Sequence, residues 1–425
     1  MIARRSILQG IGAGIGAFAL PSLVRGQGAA HVVVVGGGFG GATAARYLRR
    51  LDPAVRITLV EPNERFVTCP FSNLYLAGLR DWDSLGHGFD DLRAQGIEVI
   101  HARAEDVDAT ARTVTLSDGA RLNWDRLVLS PGIDFRWNGI EGYDEAAAEF
   151  APHAWKAGPQ TRLLRTQLEV MEDGGTFAMV VPQGAFRCPP GPYERASMVA
   201  HYLKANKPRS KILILDSQDK FSKQALFQQG WDALYPGMIE WVSLSDDGLV
   251  EQVDASAREA VTGFGNVHKA DVLNVIPPQK AGLIAERAGV TDDTGWVPVD
   301  GDRFESARVP GIFVLGDATI AAPMPKSGFA ANTQGKVAAA VIAAELAGRE
   351  APRASYANTC YSLIGPDYGI SVAGVYRGEN GRVVEIEGSG GVSPLDAGAD
   401  FRQAEADYGA GWYAAICADI WGTQA

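Results

Sequence analysis

The stretch that decides the fold is His31-Val-Val-Val-Val-Gly-Gly-Gly-Phe-Gly-Gly41, in a chain of 425 residues. Its first half, His31–Val35, is an almost unbroken apolar run of the kind that forms a buried parallel strand. The residues that follow it, Ala42–Arg50, have the composition of a helix. A glycine-rich turn between a strand and a helix, with the spacing G-x-G-x-x-G, is typical of a domain that binds a dinucleotide. The sequence therefore predicts a dinucleotide-binding βαβ unit at this point.

Three glycines and one acid have specific roles in such a unit. Gly36 permits the tight turn, Gly38 lets the backbone approach a pyrophosphate, and Gly41 lets the helix pack close to the strand. The helix also points the positive end of its dipole at the phosphates. The next strand-like run, Arg56–Val60, ends in Glu61, twenty residues after Gly41, where a carboxylate can bind an adenosine ribose.

The composition is that of a large globular protein. The chain has 46% hydrophobic residues, 39 Lys and Arg, 50 Asp and Glu, and a net charge of -11. The basic residues are not clustered, which argues against a nucleic-acid partner, because neutralising phosphates requires grouped Lys and Arg. The 50 glycines are about 12% of the chain against a usual ~7%, which indicates many tight loops and close backbone approaches.

Residues 1–30 have the pattern of a twin-arginine export signal. Arg4 and Arg5 precede a run of small and apolar residues that ends at Leu20, and the small residues 28–30 provide a cleavage site. A membrane anchor is the alternative, but it would need roughly 20 apolar residues. We therefore expect a mature chain that starts near His31, lies in the bacterial periplasm and does not span a membrane.

Two later motifs resemble those with which flavin disulfide reductases bind FAD. The first, Asp125-Arg-Leu-Val-Leu-Ser-Pro-Gly132, resembles the strand and turn beside their first nucleotide domain. The second, Val309-Pro-Gly-Ile-Phe-Val-Leu-Gly-Asp-Ala318, contains Gly316 and Asp317 and resembles their second FAD motif, where the aspartate holds the ribityl chain. The segment Lys326–Leu346 predicts a loop and then a helix whose N-terminus faces the flavin ring. The resemblance implies that FAD is the cofactor.

The two FAD motifs lie almost two hundred residues apart, so the FAD domain is predicted to be split into 31–141 and 285–350. The intervening residues, 142–284, contain two strand-like runs with a helix between them and predict an inserted βαβ domain. Residues 351–425 are expected to form a C-terminal α+β domain. The expected fold class is α/β, with two Rossmann-like domains of which the second is inserted into the first.

The inserted domain lacks the glycine fingerprint that NADH-using relatives carry in its first turn. The turn here reads Pro182-Gln-Gly-Ala-Phe-Arg-Cys-Pro-Pro-Gly-Pro-Tyr-Glu194. Prolines and an arginine occupy the places where a backbone would approach a pyrophosphate. NAD(P)H is therefore not expected as a substrate, and the electrons must come from another donor.

None of the four cysteines belongs to a C-x-x-C or C-x-x-C-H motif, so neither zinc, thioredoxin-type chemistry nor haem attachment is indicated. Cys69 follows Glu61 by eight residues, which lets the chain run alongside an extended FAD from its ribose to its flavin ring. Cys417 lies on the apolar face of a predicted helix, where packing accounts for it. The six histidines lie far apart without ligand spacing, so no metal site is expected.

The motifs Arg65-Phe-Val-Thr-Cys-Pro-Phe-Ser-Asn73 and Cys188-Pro-Pro-Gly-Pro-Tyr-Glu-Arg195 carry a closer resemblance. With them, essentially the whole mature chain resembles the flavoprotein subunit of flavocytochrome c sulfide dehydrogenase, a family related to the sulfide:quinone oxidoreductases. The resemblance implies that Cys69 carries the FAD through a thioether to the 8α-methyl carbon of the flavin. It also implies that Cys188 and Cys360 form a redox-active disulfide against the flavin ring.

The same resemblance implies that sulfide is the substrate. The anion HS⁻ would attack one sulfur of the Cys188–Cys360 pair, leaving a persulfide and a thiolate. FAD would take two electrons as the oxidised sulfur departs as sulfur or polysulfide. Glu194 is the candidate acid or base near this sulfur, and Lys326 is the candidate cation beside the reduced flavin. The electrons would pass singly to a c-type cytochrome subunit, bound to this chain as a heterodimer.

Simpler roles are open for these residues. Glu194 suits the exposed first turn of a helix, where a carboxylate is favoured, and Lys326 suits an ordinary surface position. Cys188 and Cys360 could form a purely structural disulfide in an exported protein. Cys69 could be an inert buried thiol.

Other functions are open as well. A sulfide:quinone oxidoreductase would need a basic or hydrophobic helix near the C-terminus to sit on a membrane, but the predicted helix there has an acidic flank of Glu405, Asp407 and Asp419. A non-catalytic sulfane-sulfur or flavin-binding protein would hold Cys188 and Cys360 too far apart to bridge. An NADH-dependent disulfide reductase is disfavoured by the missing glycine fingerprint.

Overall fold

The computed structural model describes residues 29–422. The predicted export signal, apart from its last two residues, lies outside the described residues. Within them, a first sheet of five parallel strands has the order Ile312–Val314, Arg126–Leu129, His31–Val35, Arg56–Val60 and Glu98–Ile100. The strand His31–Val35 is central and almost fully buried, as its apolar run predicts.

Two helices pack against each other beside the first sheet. The helix Phe39–Leu51 begins directly at the glycine turn, and the helix Gly328–Leu346 crosses it. A Cβ on Gly335 would lie 2.6 Å from the carbonyl oxygen of Gly40, so only glycine allows the two backbones to approach this closely. Three shorter helices, Ser72–Leu76, Asp90–Ala94 and Leu283–Arg287, complete this part of the fold.

A second parallel sheet within the described range has the strand order Ile239–Val242, Lys211–Leu215, Thr176–Val180 and Val272–Val275. Its helices are Pro159–Val170, Gly191–Asn206 and Gln224–Leu234. The chain enters and leaves this unit through Ile133–Phe135 and Gln279–Ala281, which pair antiparallel, and then returns to the first sheet. The α/β fold class with an inserted second unit is therefore confirmed, while the residue at which each domain begins and ends stays a prediction.

Short strands form further small sheets around these two. The antiparallel groups are Ala104–Asp108 with Thr113–Leu116 and Arg121–Asn123, Val250–Asp254 with Glu259–Thr262 and Val267–Lys269, and Phe66–Val67 with Gly86–His87; the parallel pair is Val297–Pro298 with Thr319–Ile320. Short 3₁₀ helices occur at Trp82–Leu85, Ala147–Glu149, Leu244–Asp246 and Gly316–Ala318.

The C-terminal part is an antiparallel sheet with a long helix packed on it. The strands are Ser355–Gly365, Tyr368–Glu379, Arg382–Glu385 and Gly391–Val392, and the helix is Ala399–Trp421. The helix ends at the glycine turn of the first unit, where the Trp421 indole donates a hydrogen bond to the Gly37 carbonyl at 3.1 Å. Cys417 is buried on the helical face predicted for it. Among the described residues, no helix is both long and apolar enough to cross a membrane.

Candidate active site

A cavity of about 1150 Å³ is lined by residues from the first unit, the inserted unit and the C-terminal sheet. The predicted site residues that line it are Gly36, Gly38, Glu61, Cys69, Gly132, Cys188, Glu194, Gly316, Asp317, Lys326 and Cys360. Gly41 does not line the cavity. A Cβ at Gly41 would lie 2.0 Å from the Gly36 carbonyl oxygen, so its role is the close packing of helix on strand. The tertiary structure thus gathers residues from three parts of the chain into one site.

The glycine turn at one end of the cavity leaves no room for side chains. Gly36 has φ +102°, and a Cβ there would lie 2.3 Å from the Ser130 carbonyl oxygen. A Cβ on Gly38 would lie 3.0 Å from the ring of Phe66. Gly132 and Gly316 also have positive φ, of 64° and 75°, a backbone conformation that favours glycine. Bare backbone beside the cavity fits the close approach of a pyrophosphate.

Glu61 lies at the carboxyl end of its strand, as predicted, and it is buried. Its Oε2 atom accepts a hydrogen bond from the Gly37 N–H at 2.9 Å. Its Oε1 atom accepts from the backbone and side-chain nitrogens of Asn63, at 3.1 and 2.8 Å. A carboxylate has about four lone-pair positions, so Glu61 braces the glycine turn and keeps capacity for a ribose hydroxyl.

Asp317 and Lys326 occupy the cavity wall beside the 3₁₀ turn Gly316–Ala318. The Oδ1 atom of Asp317 is buried without a hydrogen-bond partner, and burial raises the pKa of this carboxyl. An orphaned buried acceptor of this kind fits a ligand hydroxyl group. Lys326 donates to the carbonyls of Asp317, at 2.9 Å, and Thr319, and its ammonium lies 3.9 Å from the centroid of the Trp296 ring. Burial lowers the pKa of Lys326 to about 8, so it is not an ordinary surface lysine.

Cys188 and Cys360 lie next to each other although 172 positions separate them in the sequence. Both side chains line the cavity, where they interact with each other. The interaction between the two side chains lowers the pKa of Cys360 to about 7 and raises that of Cys188. Cys188 has φ +55°, and its N–H donates to the Lys326 carbonyl at 2.9 Å. The pair is therefore placed where a sulfur–sulfur bond can form, while the disulfide itself stays a prediction.

Glu194 lies in the first turn of the helix Gly191–Asn206 but does not point into open solvent. Its carboxylate accepts hydrogen bonds from the Leu363 N–H at 3.0 Å and from the Asn73 side-chain amide at 2.8 Å. Burial raises the pKa of Glu194. The carboxyl group therefore belongs to the cavity wall beside the two cysteines and not to an exposed helix end.

Cys69 lies in the same wall, close to a cation. Its sulfur is 2.9 Å from Arg187 Nη2 and 3.3 Å from the Ala157 nitrogen, both of which donate hydrogen to it. Arg187 Nη1 also lies 3.9 Å from Asp317 Oδ2. The guanidinium thus links the sulfur of Cys69 to the carboxylate of the second FAD motif across the cavity.

Two cations near the cysteines were not singled out from the sequence. Lys223 donates to the Cys360 carbonyl at 3.0 Å and to the Ser362 hydroxyl at 2.8 Å. Arg195 is buried, lies over the Trp155 ring, and donates to the side-chain oxygen of Asn73 at 3.2 Å. Lys223 contacts Cys360 across 137 sequence positions, so no local pattern in the sequence could have linked them.

In the inserted unit, aromatic side chains surround the acid that follows the second strand. Asp216, which follows the strand Lys211–Leu215, is fully buried. In a dinucleotide domain an acid at this point binds the ribose, but here it accepts hydrogen bonds from the Tyr193 hydroxyl at 2.6 Å and the Trp241 indole at 2.9 Å. Tyr193 also stacks on Phe221 with ring centroids 3.6 Å apart.

Residues 29–422 contain no group of three or more His, Cys, Asp or Glu side chains arranged to hold a metal ion. The reactive side chains that line the cavity include thiols, carboxyls and cations.

Three parts of the chain match known families. Residues 161–277 match the central domain of the sulfide dehydrogenase [flavocytochrome c] flavoprotein chain, and residues 352–421 match the flavin-binding domain of flavocytochrome c sulphide dehydrogenase. Residues 30–167 match the pyridine nucleotide-disulphide oxidoreductases.

Individual relatives agree with these matches. The chain is 70% identical over 46 residues to the sulfide dehydrogenase flavoprotein chain of Chlorobaculum thiosulfatiphilum, which covers 11% of this chain and 96% of that sequence. It is 24% identical over 306 residues to the mouse mitochondrial sulfide:quinone oxidoreductase, covering 68% of this chain and 65% of the mouse protein. The structure of the Aquifex aeolicus sulfide:quinone oxidoreductase is similar in fold, with a TM-score of 0.69, 20% identity and 93% of each chain covered.

Proposed function

Because the chain belongs to the family of flavocytochrome c sulfide dehydrogenase flavoproteins and sulfide:quinone oxidoreductases, we propose that it oxidises sulfide with FAD and passes the electrons singly to a c-type cytochrome subunit. The observation that carries the proposal is the meeting of Cys188 and Cys360 in the wall of a cavity that suits a flavin dinucleotide. Two neighbouring cysteines in such a wall can form a disulfide, which a nucleophile such as HS⁻ can open.

The cavity residues fit FAD from end to end. The turn around Gly38 would take the pyrophosphate, Glu61 the adenosine ribose, and the unpartnered Oδ1 atom of Asp317 a ribityl hydroxyl. Cys69 lines the same cavity and would hold the FAD through a thioether. Bound there, FAD supplies a two-electron acceptor next to the cysteine pair.

The protein's own residues would carry the sulfur chemistry, starting from the disulfide form of the cysteine pair. HS⁻ bonds to one of the two sulfurs, the S–S bond breaks, and the other sulfur leaves as a thiolate. Glu194, whose pKa is raised by burial, holds a proton at higher pH than an exposed glutamate and exchanges it with the persulfide. Lys326 places a positive charge in the same cavity wall, where negative charge would be stabilised as electrons arrive.

The partner and the compartment belong to the same proposal. The sequence contains no C-x-x-C-H motif, so a haem acceptor would lie on another chain. The relative from Chlorobaculum is itself described as the flavoprotein chain of a flavocytochrome c, which supports a heterodimer with a cytochrome subunit. The twin-arginine pattern in residues 1–30 supports export to the periplasm.

The proposal is tested by adding sulfide to the purified protein without oxygen and following the flavin absorption band. We expect rapid bleaching that cytochrome c reverses. A Cys417→Ser variant is the matched control, since Cys417 is buried in the C-terminal helix and does not line the cavity; it should bleach like the unaltered protein. Absence of bleaching by sulfide would refute the proposed substrate.

A second candidate is a sulfide:quinone oxidoreductase. It is favoured by the similarity to the mouse enzyme, which extends over 306 residues. The same experiment separates the two candidates, because reversal of the bleaching by a soluble quinone analogue and not by cytochrome c would support the second.

A further inference from the structure

Lys223 is held against the strand that carries Cys360. It has φ +62° and directly precedes the helix Gln224–Leu234. Its ammonium donates to the Cys360 carbonyl at 3.0 Å, the Ser362 hydroxyl at 2.8 Å and the Ile370 carbonyl at 3.4 Å. These three acceptors use the three hydrogens of the ammonium and hold the charge in one position.

The partners of this ammonium are all neutral. Among the described residues, no carboxylate lies within 4 Å of Lys223. The ionisable groups that face it are Cys360 on the adjoining strand, Glu194 and Cys188 beside the cavity, and Glu405 on the C-terminal helix. Of these, Cys360 has the strongest electrostatic interaction with Lys223. Because neutral acceptors recover only part of the cost of removing a cation from water, a thiolate at Cys360 is the natural counter-charge.

We propose that Lys223 decides which sulfur of the cysteine pair receives the sulfur atom of sulfide, by stabilising negative charge on Cys360 and so making Cys360 the leaving group. This inference rests on the proposed sulfide oxidation and assigns its first step. Lys223 is a positioning residue in this step, since it acts on the charge of Cys360 and does not touch the substrate.

The step is balanced without a further reactant. The electron pair of HS⁻ forms a bond to the Cys188 sulfur, the Cys188–Cys360 bond breaks, and its electron pair stays on Cys360. The products are a Cys188 persulfide and a Cys360 thiolate. A disulfide opens faster when the departing sulfur has the lower pKa. The interaction with the Cys188 thiol lowers the pKa of Cys360 and so does Lys223, whereas burial and Glu194 raise it. Lys223 keeps its charge when Cys188 carries the persulfide.

The first test measures the charge on Cys360 in the FAD-containing protein after the cysteines are reduced. The rate of Cys360 alkylation by iodoacetamide is followed against pH, with peptide mass spectrometry to separate the cysteines. Lys223→Met should move the profile upward by about one pH unit, which lowers the alkylation rate about fivefold near pH 7 and about tenfold well below it. Lys223→Arg, which keeps the charge, should retain most of the alkylation rate of the unaltered protein.

A further variant, Lys223→Gln, distinguishes the loss of the charge from an effect of misfolding. Lys223→Gln keeps a hydrogen-bond donor without the charge and should resemble Lys223→Met in its alkylation profile. A profile unchanged in Lys223→Gln, or an equal shift in Lys223→Arg, would overturn the proposal, because the effect would not then follow the charge.

The second test locates the persulfide. The oxidised protein is mixed with one equivalent of sulfide, quenched with acid and an alkylating agent, and mapped by mass spectrometry. We expect the persulfide on Cys188 in the unaltered protein and on both cysteines in Lys223→Met. A persulfide on Cys360 of the unaltered protein would overturn the inference. A shifted alkylation profile with no persulfide on either cysteine would instead refute the proposed function and leave the electrostatic role of Lys223 standing.

Discussion

The carboxylate of Glu194 accepts a hydrogen bond from the backbone N–H of Leu363 at 3.0 Å. Glu194 follows Cys188 by six residues, and Leu363 follows Cys360 by three. The bond therefore ties the helix that follows one cysteine to the strand that carries the other. Since Asn73 donates to the same carboxylate, the segment after Cys69 is tied to this point as well. Glu194 thus holds together three cysteine-bearing segments in addition to any role as an acid.

The attachment of the cofactor is tested at Cys69. Cys69→Ser should leave a folded protein whose flavin is released by acid or denaturant, because an alcohol does not replace the thiolate as a nucleophile. The measurement is flavin fluorescence of the protein band after denaturing electrophoresis, with Cys417→Ser as the control that keeps its fluorescence. Flavin that stays covalently bound to Cys69→Ser would show that the attachment site is elsewhere.

The disulfide mechanism is tested at Cys188 and Cys360. Each serine variant should lose flavin reduction by sulfide by at least about 100-fold, since one sulfur cannot form the disulfide that sulfide opens. Dithionite, which needs no thiol, should still bleach the flavin in both variants. Undiminished bleaching by sulfide in the two variants would end the disulfide mechanism.

The packing at the glycine turn is tested with two alanine variants. Gly41→Ala places a Cβ 2.0 Å from the Gly36 carbonyl oxygen and should lower the free energy of unfolding by about 3 kcal/mol or more through overpacking. Gly88→Ala is the control, because a Cβ there has no neighbour within 4 Å, and it should change stability little. Thermal unfolding of both variants gives the comparison. Equal melting temperatures would contradict the close helix–strand contact.

The buried His153 should make stability depend on pH. Burial, with help from the neighbouring cations, lowers its pKa to about 3, against an ordinary value of 6.5. Between these two pH values, His153 is protonated in the unfolded chain and neutral in the folded protein. The free energy of unfolding therefore falls as the pH falls, by up to about 1.4 kcal/mol per pH unit.

The variant His153→Asn isolates this contribution. His153 Nδ1 accepts a hydrogen bond from the Trp155 N–H at 2.9 Å. The asparagine oxygen can accept the same hydrogen bond, but asparagine does not titrate. Urea unfolding between pH 6.5 and about pH 4.5 should show a loss of stability smaller by about 2 kcal/mol in the variant. Identical losses in the two proteins would mean that His153 is not kept neutral in the fold.

The choice of electron donor is tested with NADH. In the inserted unit, Asp216 stands where an acid would bind a ribose, but its carboxylate accepts hydrogen bonds from Tyr193 and Trp241. The first turn of this unit also has no glycine fingerprint. NADH and NADPH at millimolar concentration should leave the flavin spectrum unchanged in a sample that dithionite then bleaches. Stoichiometric bleaching by either nucleotide would refute the assignment of this unit as a non-binding domain.

Sequence alone determined the features that depend on neighbouring residues. A strand, a glycine turn and a helix follow one another within His31–Arg50, and local backbone conformation depends on local residue types, so the dinucleotide-binding unit could be predicted. The insertion of a second domain followed from the resemblance of two distant motifs to those of FAD-binding proteins. Glu61 could be placed for the same reason as the dinucleotide-binding unit, since it directly follows the strand Arg56–Val60. Asp317 was placed by the resemblance of its motif to the second FAD motif of flavin disulfide reductases.

Only the tertiary structure decided which distant groups share the cavity. Cys188 and Cys360 were linked beforehand by family resemblance, whereas Lys223 and the pairing of Asp216 with Tyr193 and Trp241 were not anticipated at all. The sequence was equally consistent with a surface position for Lys326, and only the structure shows its hydrogen bond to the Asp317 carbonyl. These contacts join residues on different strands, helices and loops, and the way that such elements pack is set by long-range complementarity of whole surfaces, which no local period or spacing encodes.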